Sequence, residues 1–245
     1  MNIYKQKCSI YNFIEKLHSH IFSENRSVFY QIKLFVLWFR LYKRQSYSFK
    51  LFQQDIKKLQ VALKLDAQAI YNFDPAANSI DEVIYIYPGF KAIFIHRVSH
   101  LFWNYGWTEW ARIASEYAHS ITGIDIHPAA TIGHSFAIDH GTGIVIGATT
   151  IIGNEVKIYQ GVTLGALQVK KELASLKRHP TIQDQVVIYA NTTILGGDTI
   201  IGNNSVIGGN VWLTESVPSF SKIYNKNEIR IKTPNDLNEP INFSI

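Results

Sequence analysis

Between Ile124 and Leu213 an aliphatic residue returns every six positions, with small or turn-forming residues between. Ile126, Ile132 and Ile138 are in step, a two-residue slip leads to Ile146, and Ile152, Ile158 and Leu164 follow six apart. After a gap the beat resumes at Ile182, Ile188 and Ile194, takes one extra residue, and ends with Ile201, Ile207 and Leu213. A period of about six fits neither an amphipathic helix, at about 3.6, nor a half-buried strand, at about 2. It is the hexapeptide signature of a parallel β-helix, in which each unit forms one side of a triangular coil and points its aliphatic residue into the shaft. No coil buries its apolar face alone, so stacking supplies the core.

Upstream the pattern is helical. Ile10, Phe13, Ile14 and Leu17 share one face, as do Phe52, Ile56, Leu59 and Leu63. Ser79-Ile80-Asp81-Glu82 reads as a capping box, because a Ser hydroxyl and a Glu three residues on satisfy each other's free amides at a helix start. Tyr87-Pro88-Gly89 breaks that helix; another run begins at Phe90 and ends near Asn104-Tyr105-Gly106, and the last leads from Thr108 to Thr122-Gly123. The predicted fold class is α+β: an N-terminal all-helical domain over residues 1–122, a parallel β-helix over 123–217, and a polar C-terminal tail over 218–245. Val217-Pro218 is the expected end of the coils, and the tail, with Pro234 and Pro240, is expected to be partly disordered.

The beat lapses from Gln168 to His179, where Lys170, Lys171, Lys177 and Arg178 cluster. This is either a tolerated surface insertion or a loop thrown out at one corner, and long loops on rigid scaffolds tend to carry function.

Composition narrows the setting. Cys8 is the only cysteine, which excludes an intramolecular disulfide and a CxxC metal site and fits a reducing, cytoplasmic compartment. The formal charge of +5 is scattered along the chain, so no nucleic-acid partner is expected, whereas a mildly basic surface suits an anionic small cofactor. Glu15, Lys16, His18 and His20 interrupt any signal-peptide core. Val28 to Tyr42 is apolar but too short, and with Lys33 and Arg40 too charged, to span a bilayer; it reads as a packed helix, with a membrane-surface helix as the alternative.

The repeat needs aliphatic and small residues, so His127, His134, His140 and His179, with Asp125 and Asp139, require a reason. Three readings stand side by side: solvated surface histidines, a zinc site, and an acid–base pair in which a carboxylate fixes the tautomer of a histidine that accepts a hydroxyl proton. With about eighteen residues in a full coil, Asp125 and His140 fall on adjacent coils and neighbouring edges.

Asp125 to Gly133, Asp139 to Gly147, Gln160 to Gly165 and Arg178-His179-Pro180 resemble the consecutive motifs of the serine O-acetyltransferases, within the hexapeptide-repeat acyltransferases. A weaker likeness at Asp74-Pro75-Ala76 and Tyr87-Pro88-Gly89-Phe90 extends it over residues 74–207. The resemblance implies a left-handed coil and acetyl transfer from acetyl-CoA to the hydroxyl of L-serine, giving O-acetyl-L-serine and CoA for cysteine biosynthesis. It implies no metal, and a site between neighbouring subunits of a homotrimer or a dimer of trimers. Carried over by position, His140 is the base and Asp125 its partner; Asp74 and Asp139 receive the serine ammonium, and Arg178 and His179 its carboxylate. Gly165, Ala166 and Ala190 meet the coenzyme, and Ile245, at the end of Phe243-Ser244-Ile245, docks into cysteine synthase.

The chain departs from the family pattern in three places. Ala166 to Lys177 replaces a short glycine-rich stretch, Val206 stands where a coil lysine is usual, and Tyr224-Asn225-Lys226-Asn227 lies near the place of a missing GVPA segment. Two other classes compete: an acyltransferase for homoserine, a sugar or an antibiotic, and a catalytically silent β-helix that regulates cysteine synthase. Arg178-His179 argues against a sugar, which has no carboxylate to hold, and the intact Asp125 and His140 argue against silence. Serine and homoserine differ by one methylene, which these residues do not discriminate.

Overall fold

The computed structural model describes residues 3–22, 49–168 and 176–226. Among them, five helices precede fourteen short strands: α1 (Ile3–Phe22), α2 (Phe49–Phe73), α3 (Ile80–Ile86), α4 (Pro88–Asn104) and α5 (Thr108–Thr122). The two predicted stripes, Ile10 to Leu17 on α1 and Phe52 to Leu63 on α2, are buried in one core with Phe90, Phe94 and Phe102 of α4. The Ser79 hydroxyl accepts the Glu82 amide at 3.1 Å and so starts α3, but the Glu82 carboxylate reaches one residue further back than a capping box requires, to the Asn78 amide at 2.9 Å. Tyr87 ends α3 and Pro88 opens α4 at a position where a missing amide costs nothing. Gly123, at φ 69°, ends α5 in the left-handed conformation that glycine adopts without penalty. Val28 to Tyr42 lies outside the described residues, and no described helix is long and apolar enough to cross a membrane.

The strands wind into five coils. β1 (Asp125–Ile126), β2 (Thr131–Ile132) and β3 (Ala137–Ile138) form the first, and β4 (Val145–Ile146), β5 (Ile151–Ile152) and β6 (Lys157–Ile158) the second. β7 (Thr163–Gly165), β8 (Thr181–Ile182) and β9 (Val187–Ile188) form the third; β10 (Thr193–Leu195), β11 (Ile200–Ile201) and β12 (Val206–Ile207) the fourth; β13 (Trp212–Leu213) and β14 (Lys222–Ile223) the last. All pair in parallel, as three sheets: β1-β4-β7-β10-β13, β2-β5-β8-β11 and β3-β6-β9-β12-β14.

The registers place the six-residue beat on three inward columns. Ile126, Ile146, Leu164, Ile194 and Leu213 stack on the first sheet, Ile132, Ile152, Ile182 and Ile201 on the second, and Ile138, Ile158, Ile188, Ile207 and Ile223 on the third. A second buried set sits two residues before all of these but Ile223, as at Ala130, Phe136, Ile144, Val156, Val162 and Val186. The expected end at Val217-Pro218 falls short: Val217 bridges Ile201, and the chain continues to β14 on the third sheet.

The helices cap the first coil. Asp66 on α2 is fully buried and holds Arg97 of α4 through paired contacts, while Arg97 Nη2 donates to the Gly133 carbonyl at 2.7 Å and the Phe136 amide donates to Asp66 at 3.0 Å. Leaving either partner of such a buried pair alone costs about 3–5 kcal/mol. The pair fixes α2 and α4 against the coil that carries Asp125 to His140.

Candidate active site

His140 sits at the two-residue slip. The edge between the third and first sheets takes three residues in the second coil, Tyr159 to Gly161, and five in the first, Asp139 to Gly143; the Gly161 amide donates to the Thr142 carbonyl at 3.0 Å across the two. The extra residues, His140 at φ 56° and Gly141 at φ 94°, occupy the left-handed region and bulge from the coil. At Gly141 an added Cβ would lie 2.5 Å from Ile124 Cδ1, so the turn closes onto the shaft and the imidazole is pushed outward. The His140 side chain is 73% exposed, with Nε2 3.7 Å from Asp139 Oδ1.

Asp125 opens β1 in the same coil and on the same edge as His140, not on an adjacent coil and a neighbouring edge as the expected eighteen-residue turn places it, because the bulge lengthens this turn so that Asp125 pairs with Val145. Its amide donates to the Ile144 carbonyl at 2.9 Å. Among the described residues its carboxylate forms no ion pair with His140; the ion-pair distance at that imidazole belongs to Asp139. Asp74 comes from the turn after α2, where one oxygen accepts the Ala76 amide at 2.8 Å and the other the Tyr87 hydroxyl at 2.7 Å. The bond to Asp74 pushes the Tyr87 phenol up to about 12, with Glu82 and Asp139 adding to it. The Tyr159 phenol is also raised, first by burial and then by Tyr189, Asp139 and Asp74. Both phenols feel both carboxylates, so Asp74 and Asp139 share one acidic corner beside His140. Phe73 stands edge-on to Tyr159 at 5.5 Å, and Tyr159 stacks on Tyr189 at 4.9 Å.

Arg178 and His179 lie on a different edge, between the first and second sheets. The Arg178 and His179 amides donate to Thr149 Oγ1 at 2.9 and 3.1 Å, and His179 Nδ1 accepts the Thr149 amide at 3.1 Å. A methyl group at Gly147 would overlap the imidazole, and one at Gly197 would overlap the Lys177 carbonyl, so the returning loop is seated on two glycines. Lys177 Nζ donates to the His179 carbonyl. Burial, then the charges of Arg178 and Lys177, hold His179 down to about 4. His127, edge-on to Trp103 at 5.3 Å, is likewise lowered to about 4 by burial and by Arg112, His179 and Arg178. This edge is cationic, and its histidines are neutral near pH 7.

The remaining expected positions divide between the same two edges. Gly165 ends β7, and Ala166 follows it at the root of the Arg178 loop. Ala190 lies on the His140 edge, its carbonyl accepting the Asn210 amide at 2.9 Å. Residues 169–175 of the loop, and Ile245, the residue expected to dock into cysteine synthase, lie outside the described residues. The four coil histidines do not converge: among the described residues no group of three or more His, Cys, Asp or Glu is placed to hold a metal. Tyr87, Tyr159 and Thr149 carry no signal in the sequence as site residues, because an outward residue of a coil and a helix-breaking Tyr-Pro do not state what they face.

A left-handed parallel β-helix with a histidine bulged from one edge beside paired carboxylates has the architecture of the hexapeptide-repeat acyltransferases. No family model matches the chain. It is 49% identical over 177 residues to a plasmid-encoded serine acetyltransferase of Synechococcus elongatus, covering 70% of this chain and 55% of the relative. With the serine acetyltransferase of Bacillus subtilis it shares 44% over 161 residues, covering 66% of this chain and 72% of the relative. Among solved structures, Entamoeba histolytica serine acetyltransferase isoform 3 in complex with cysteine superposes with a TM-score of 0.69 at 41% identity, covering 78% of this chain and 67% of that one. The chain belongs to the serine acetyltransferase family. It spans little more than half the length of the Synechococcus relative.

Proposed function

We propose that the protein transfers the acetyl group of acetyl-CoA to the hydroxyl of L-serine, giving O-acetyl-L-serine and CoA, in a site completed by a second copy of the chain. The observation that supports this is the division of charge. One edge presents Asp74 and Asp139, suited to an ammonium, next to an exposed imidazole; the other presents Arg178, whose two-pronged guanidinium suits a carboxylate. An amino acid needs both at once, and within one chain they stand on different edges of the prism. Packing the Arg178 edge of one copy against the His140 edge of the next, in a closed trimer, brings them together.

In that site His140 takes the hydroxyl proton as the serine oxygen attacks the thioester carbonyl. The tetrahedral intermediate then collapses, the carbon–sulfur bond breaks, and the imidazolium returns the proton to the CoA thiolate. Asp125 acts as a positioning group, at the start of the strand on which the His140 turn closes. Solved serine acetyltransferases similar to this chain are in complex with serine, with cysteine and with CoA. Cysteine presents the same ammonium and carboxylate as serine and is expected to compete with it here. The exposed thiol of Cys8 fits the cytoplasm as the place of action. A thiol-release assay with acetyl-CoA and a panel of amino acids and sugars tests the proposal: serine-dependent release is expected, and its absence with serine present sinks it.

A further inference from the structure

We propose that Tyr224 is the platform on which the adenine of the acyl donor stacks, at the far end of a track that begins at His140. This rests on the acetyl-CoA reading above. The strand registers align Asp139, Tyr159, Tyr189, Gly208 and Tyr224 in one column, since each follows a member of the Ile138-Ile158-Ile188-Ile207-Ile223 stack. With about 4.8 Å between neighbouring strands, four rungs set Tyr224 about 19 Å from the level of Asp139 and His140. Coenzyme A carries its adenine beyond a pantetheine arm and a diphosphate, which in extended form cover such a span.

The direction of the track follows from the fold. Helices α2 and α4 pack against β3 and close the column below Asp139, so an arm whose thioester lies at His140 leaves toward the last coils. On the way it meets the Tyr159–Tyr189 stack and then Gly208 and Gly209, where side chains are missing and the edge is low. An added Cβ at Gly208 would lie 3.3 Å from the Tyr224 Cβ and 3.1 Å from the Ile223 carbonyl, which puts the Tyr224 backbone directly over that gap. Asn225 anchors the same segment by donating to the Asn210 carbonyl. Tyr224 is 76% exposed and, among the described residues, its side chain has no ring or hydrogen-bond partner. A lone exposed aromatic needs no explanation. One on the last described rung of the column that starts at the reacting histidine, between Lys222 and Lys226, suits a phosphorylated purine, because any base can stack on an aromatic face.

The test compares acetyl-CoA with S-acetyl-N-acetylcysteamine, a thioester donor that lacks the nucleotide. Tyr224→Ala is expected to raise KM for acetyl-CoA about 5- to 100-fold, leaving kcat and the serine KM unchanged, and Tyr224→Phe to behave as the parent. With the truncated donor the parent and Tyr224→Ala should be equal. An unchanged KM for acetyl-CoA in Tyr224→Ala, or an equal loss with both donors, overturns the platform. Should the parent protein transfer no acetyl group to serine, the enzymatic reading fails on its own; calorimetry with CoA then decides the platform, weaker binding by Tyr224→Ala supporting it and equal binding overturning it.

Discussion

His140 shows how one residue's conformation creates a reactive position. In the later coils the residue that follows the same rung, Gln160 or Ala190, stays out of the left-handed region. In the first coil two added residues in that region turn His140 outward instead, and glycine is needed at 141 because a side chain there would strike Ile124. An imidazole 73% exposed contributes little to the core, so His140→Ala should keep its melting temperature while turnover falls roughly 10²–10⁴-fold, the usual cost of a lost general base. Asp125→Asn should cost less, since it acts only through His140. Near-normal turnover in His140→Ala would show that the base lies elsewhere.

At the scale of an element, the edge between the first and second sheets holds its histidines neutral. Burial first holds both His127 and His179 near 4; Arg112 and Arg178 add to it at His127, where Glu116 opposes them, and Arg178 and Lys177 add to it at His179, while His96 on α4 is fully buried and by that burial lowered well below its ordinary value. Because the unfolded chain binds protons near 6.5 and the folded chain only near 4, stability is full above about pH 6.5 and is lost as the pH falls toward 4. The melting temperature should decline across that window, and His179→Gln should decline less steeply than the parent. Identical pH profiles for the two proteins would show that His179 is not held neutral by its seat on Gly147 and Thr149.

At the scale of the whole molecule, the separation of the acidic and cationic edges predicts complementation. Copies carrying His140→Ala and copies carrying Arg178→Ala should each be nearly inactive alone. Refolded together, they should recover part of the parent activity, because some interfaces then join an intact His140 edge to an intact Arg178 edge. No recovery from mixed oligomers would place both halves of the site in one chain. The sequence by itself determined the coil: a six-residue beat of isoleucines has no other way to be buried, and the slip at Asp139 to Gly143 and the lapse after Leu164 were legible as breaks in it. Helix starts and stops were legible where Ser79, Pro88 and Gly123 impose them locally. Only the tertiary structure decided that Asp74 and Asp139 meet across Tyr87 and Tyr159, that His179 is locked over Gly147, and that Arg178 stands on another edge from His140. Those relations depend on which residues of successive coils share an edge, and on how α2 and α4 seat on the first coil through Asp66 and Arg97. A periodic sequence states the repeat, whereas the contacts between its turns arise only when the coils stack.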